Sequence, residues 1–217
     1  MKRRNVGILL CTFALMAMVC GLAITTMGSI PNEPSTEKAF YVSKAYKEIG
    51  DTKADINGYK SKIAGKIAQI QEKLSPEENI LVTITFNHPV EKDALTNLIN
   101  EHDLQVKTIL GRTIENGTGL RGTVQLASQD RKLYDEEVFE HMVSSNNAVF
   151  KGFIEIVGYV KVKNIDQLAH SQFVFLVDPS ADNHLVSNPK KKTMPGVFWK
   201  LEDNHLVVPG LSQQSSN

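Results

Sequence analysis

Seven consecutive residues, Asp178-Pro179-Ser180-Ala181-Asp182-Asn183-His184, hold the densest set of groups able to do chemistry, and His170 precedes them. Asp178, Asp182 and His184 would offer a divalent cation the oxygen and nitrogen ligands it favours. Ser180 as nucleophile, His170 or His184 as base and Asp178 as orienting acid form the one local grouping for acyl transfer. The same residues are also ordinary turn formers, because short polar side chains bond their own backbone. The cluster has one histidine and no Gly-x-Ser-x-Gly elbow. Gly111, Gly117, Gly119 and Gly122 fall between strands rather than before a helix, where a phosphate loop would lie. The turn reading is therefore preferred. No catalytic residue, metal ligand or cofactor is predicted, and the chain is not expected to be an enzyme.

A second group lies further on. Lys190, Lys191 and Lys192 precede Pro195-Gly196 and then Phe198 and the single tryptophan, Trp199. A basic cluster beside aromatic side chains can dock on an acidic surface or a lipid headgroup, which makes these five the candidate interaction residues. The competing expectation is a last strand that folds Phe198 and Trp199 onto the core and leaves the lysines solvated.

The elements that would carry these groups begin with an anchor. Lys2-Arg3-Arg4 is followed by an uncharged apolar run, Val6 to Met27, long enough to span a bilayer as a helix. Thr25 to Ser29 makes a poor small-x-small cleavage site, and Met18-Val19 before Cys20 does not suit a lipoprotein signal. The expectation is an uncleaved signal anchor over residues 6–27, with residues 1–5 cytoplasmic and the rest extracytoplasmic by the positive-inside rule. All 24 acidic residues but only 21 of the 24 basic ones follow the run, a net −3 that argues against nucleic acid as a partner. Cys11 and Cys20 both lie within the run, so the exported part has no disulfide or thiolate chemistry.

After a breaker-rich linker, 28–34, the pattern becomes helical over 35–75. Val42, Ile49, Ile56, Ile63 and Ile70 recur at every seventh residue, the spacing of a coiled-coil seam. Lys53 and Lys60 interrupt the companion positions, and Gly50, Gly58 and Gly65 weaken the helix further. The sequence thus suggests a stalk able to pair two copies through Ile49, Ile56, Ile63 and Ile70, against the alternative of a helix lying on its own domain.

From Asn79 the period drops to two. Ile80, Val82, Ile84 and Phe86 mark a strand, followed by a helix to His102 and a hairpin over Leu104–Ile114 and Leu120–Ala127, turned at Asn116-Gly117. A helix over Tyr134–Ser145 and a strand over Phe153–Val162, interrupted at Gly158, complete βαββαβ. A short helix and an apolar strand, Phe173–Val177, follow. The expected fold is α+β, a ferredoxin-like βαββαβ sheet with an extra C-terminal helix and strand over residues 79–186, then a tail over 187–217. The expected function is a membrane-anchored binding module that contacts another membrane or envelope protein in a regulatory or assembly role. A secreted propeptide-like protease inhibitor and a hydrolase or metal enzyme at Asp178 to His184 are the alternatives.

Overall fold

The computed structural model describes residues 41–128, 132–186 and 196–207. The expected anchor, the linker, the first residues of the stalk and Lys190, Lys191 and Lys192 lie outside them. Among the described residues no helix is long and apolar enough to cross a membrane.

In chain order the elements are α1 (Val42–Ile49), α2 (Lys53–Lys73), β1 (Asn79–Val90), α3 (Lys92–Glu101), β2 (Gln105–Glu115), β3 (Arg121–Ala127), α4 (Glu136–Ser145) and β4 (Ala148–Lys161). A 3-10 turn then leads to α5 (Ile165–Ala169), β5 (Val174–Asp178) and α6 (Phe198–Asp203). The strands form one mixed α/β architecture around a five-stranded antiparallel sheet in the order β3-β2-β4-β1-β5. β1 and β2 run parallel with β4 between them, β3 and β4 with β2 between them, and β4 and β5 with β1 between them. Each parallel pair is joined through one helix, α3, α4 or α5.

Those three helices share one layer. Lys92 of α3 pairs with Glu136 of α4, and Gln167 of α5 donates to Glu101 of α3. Phe139 of α4 sits 4.8 Å from the Phe150 ring and 6.5 Å from Phe153. On β1, Ile80, Val82, Ile84 and Phe86 are fully buried, as their alternation requires. Thr83 and Thr85 on the opposite face are buried as well, so the sheet is covered on both sides.

Gly158 does not interrupt β4. It pairs with Val82 on one side and Val106 on the other. A Cβ there would stand 2.7 Å from the carbonyl oxygen of Gln105, so the glycine permits a close approach of β2.

The second face is covered by residues outside the strand-helix repeat. Arg112 and Glu155 lie on the same face as Thr85 by register, and both meet α6: Arg112 bonds Glu202 and the Glu155 carboxylate accepts from the N–H of Phe198. The α1–α2 pair joins them there. Tyr59 of α2 donates to Asp178, which pairs with Thr83, and Lys200 of α6 pairs with Asp51 in the α1–α2 turn.

Three expectations need correction. The stalk is not one helix: Gly50 takes φ +76°, and Thr52 starts a new helix as its N-cap. The Thr52 hydroxyl accepts from Asp55 N–H at 3.2 Å while the Asp55 carboxylate accepts from Thr52 N–H at 3.1 Å, a reciprocal capping box. Nor is its stripe a seam between copies. Ile49, Ile56, Ile63 and Ile70 are at most 1% exposed and belong to the buried core of the domain, so these side chains are not available to pair with a second chain. The final aromatic segment is a helix, α6, and not a strand.

Ile63→Ala removes buried methyl groups from that shared core and is expected to cost about 2–5 kcal/mol. Urea unfolding followed by circular dichroism measures it; an unchanged midpoint would mean that α2 contributes nothing to the domain.

Candidate functional site

The loop after β5 is assembled by its own carboxylates. Asp178 ends the strand fully buried; one oxygen accepts from Tyr59 Oη at 2.6 Å and the other from Ser180 N–H at 2.8 Å. Burial, with the Asp178 carboxylate beside it, pushes the Tyr59 hydroxyl well above the usual phenol range, so Tyr59 stays a neutral donor. Beyond Asp178 the edge of β1 has lost its strand partner. Asp182 replaces it by accepting from the Leu81 N–H at 2.7 Å.

The other Asp182 oxygen accepts from His184 N–H at 2.8 Å and faces His184 Nδ1 at 2.6 Å, while Nε2 lies 3.0 Å from Glu78. Burial disfavours the charged imidazole, but Asp182 and Glu78 together outweigh it and raise its pKa. A protonated His184 is thus a clamp between two carboxylates. Asp178, Asp182 and His184 do not converge on a common point, and no group of three ligands able to hold a metal occurs among the described residues. His170 is also elsewhere, with Nδ1 2.6 Å from the Asp166 carbonyl at the end of α5.

Ser180 has a different partner from those its neighbours suggest. Its hydroxyl accepts from Lys66 Nζ at 2.7 Å, across 114 residues of sequence. Lys66 is half-buried, and desolvation lowers its pKa, with the charge of Asp178 acting in the opposite direction. The pair lies in a cleft of about 390 Å³ between α1, α2 and the loop, where Lys44, Glu48 and Lys62 also face the opening. Lys62 reaches across the helical hairpin to Glu48 at 2.6 Å and lowers that carboxyl's pKa. A neutral Lys66 could act as a base toward Ser180; desolvation works toward that form and the charge of Asp178 toward the ammonium. As a cation it donates to the hydroxyl without activating it. The arrangement is suited to holding an anion.

The aromatic candidates lie on the opposite part of the same face. Phe198 is fully buried, and Trp199 is about a third exposed. The indole stacks 4.1 Å from the Arg112 guanidinium and 5.0 Å from Arg121, and its N–H donates to Thr123 at 3.2 Å. Arg112, itself 1% exposed, is bidentate to Glu202 at 2.9 and 2.5 Å and also donates to Gly122 O. Both aromatic side chains are therefore occupied within the chain. The sequence hid this site because Arg112 and Glu202 lie 90 residues apart. Gly196 was the available signal: a Cβ there would fall 1.9 Å from the Glu155 carboxyl carbon, so the glycine before the aromatics is a seat for a buried acid.

No protein-family model matches the chain, and no curated protein and no solved structure matches it either.

Burial raises the Glu155 pKa from 4.5 to about 7, against the Phe198 N–H and the Arg112 charge, which lower it. Between those values the folded chain keeps a proton that the unfolded chain has lost, so this group's contribution to stability falls as pH rises through the window and is level above it. Glu155→Gln should remove that dependence. Its stability relative to the wild type is expected to grow by about 3 kcal/mol from the bottom of the window to the top. Chemical unfolding at a series of pH values measures it, and a constant difference between the two chains would contradict the assignment.

Proposed function

We propose that this chain is a single-pass membrane protein whose extracytoplasmic domain acts by binding another membrane or envelope protein in a regulatory or assembly role. The observation that carries the reading is the uncharged run Val6 to Met27 behind Lys2, Arg3 and Arg4. Its length matches a bilayer and its flanks match an N-terminus held in the cytoplasm. The net −3 beyond it and the absence of cysteine there suit an exported domain that does not bind nucleic acid.

For the domain itself we read β5-β1-β4-β2 as a ferredoxin-like core, with β3 and α4 inserted at its edge. The split crossovers through α3 and α5 support this reading. Such an architecture serves many functions, so the assignment rests on the site and the anchor and not on the fold. Both sheet faces are already covered, which leaves the helical surfaces and the outer edge of β3 for a partner.

The test is recovery of the full chain from native membranes. The expected result is an intact N-terminus by mass spectrometry, a specific membrane or envelope protein retained with it, and digestion of the domain by protease added outside intact cells. A chain cleaved near Gly28 and released from the cells would overturn the reading.

A further inference from the structure

We propose that the cleft between α1, α2 and the loop after β5 is a binding site for a phosphate group, held by Lys66 with Lys62, Lys44 and the Ser180 hydroxyl. The Lys66 ammonium is half-buried, yet among the described residues it makes no ion pair, and its hydrogen bond goes to a neutral hydroxyl. Taking a cation partly out of water without a counter-ion is costly. An anion in the cleft would offset that cost, and the cleft is open to receive one.

The remaining charges agree. Three lysines and one carboxylate, Glu48, line the cleft, a net charge of +2, and Glu48 is already engaged by Lys62. Asp178, whose charge also acts on Lys66, makes no ion pair with it, does not line the cleft and has both oxygens occupied by Tyr59 and Ser180 N–H. Lys62 and Lys66 also repel one another, since the charge of Lys62 lowers the Lys66 pKa. A doubly charged oxyanion bridging two ammonium groups relieves that repulsion and matches the surplus, as a phosphate monoester does near neutral pH. A volume of about 390 Å³ also leaves room for a small organic substituent on the phosphate.

Ser180 is held by the Asp178 turn. It does not have to be ordered when ligand arrives, which keeps the entropic cost of binding low. The proposal does not depend on which protein the domain contacts.

The experiment uses the full chain in a maltoside detergent, which carries no phosphate. Thermal unfolding is followed while glycerol 1-phosphate is added, with sodium chloride at matched ionic strength as control. A saturable rise in Tm above the chloride control is expected. Lys66→Met should weaken that response by about 10- to 100-fold, the loss of one charge-assisted hydrogen bond, while leaving the unliganded chain at least as stable as the wild type. Glu48→Gln should strengthen it, because one competing carboxylate is removed. A second arm replaces the soluble ester by mixed micelles containing phosphatidic acid, whose headgroup is a phosphate monoester, or phosphatidylcholine as control. A response to the soluble ester identifies a free phosphate ester as the ligand, and a response to phosphatidic acid alone identifies a lipid headgroup. No saturable response to either, or a response that persists in Lys66→Met, would overturn the proposal. A large loss of stability in unliganded Lys66→Met would also overturn it, since the lysine would then be a structural strut.

Discussion

Five strands present two faces, and the helices that connect them lie against only one, so the other must be covered by chain outside the repeat. Thr83, Thr85, Glu155, Arg112 and Asp178 all point to that second face and all are buried. The α1–α2 hairpin comes from before the first strand and α6 from after the last. The two meet where Lys200 pairs with Asp51 and stands 4.6 Å from the Tyr46 ring. What makes the sheet stable is thus supplied by the two ends of the domain together. Neither end can leave without exposing apolar surface worth several kcal/mol.

Polar groups on this face are costly unless each has a partner, and the partners determine where the covering helices sit. Arg112 brings α6 into place through Glu202 and the faces of Trp199 and Phe198. Tyr59 fixes α2 over the end of β5 through Asp178. Glu155 is the exception, because among the described residues it makes no ion pair and it stays protonated over part of the neutral range. At the margin of the face, where α2 passes the loop after β5, the packing opens into the lysine cleft. Burial there is partial, which leaves Lys66 desolvated enough to favour an anion and accessible enough to meet one.

The strand-helix order was legible because its signals are local. The alternation of Ile80 to Phe86, the Asn116-Gly117 turn and the apolar Phe173 to Val177 run each specify an element without reference to distant residues. The isoleucine stripe was legible as a helix face but not as to what it faces, since a seven-residue period fits both a seam and a helix on a sheet. Its break could have been read from Gly50 and the Thr52-x-x-Asp55 box. Strand order and the site were not legible, because pairings such as Lys66 with Ser180 and Arg112 with Glu202 join residues about a hundred positions apart. Asp178 and Asp182 stood out in the sequence as members of one dense polar cluster. Their work is to close a strand end, a role set by the edge of β1, which only the fold brings to them.

α2 is a layer of the domain and shares its stability. Amide hydrogen exchange of the full chain under native conditions tests this most directly. The account predicts that amides from Ile56 to Ile70 exchange only through the same global opening that releases the central strands β1 and β4, with equal free energies and equal dependence on denaturant. Exchange of α2 by an easier opening that leaves the sheet protected would show an independent helix and contradict it.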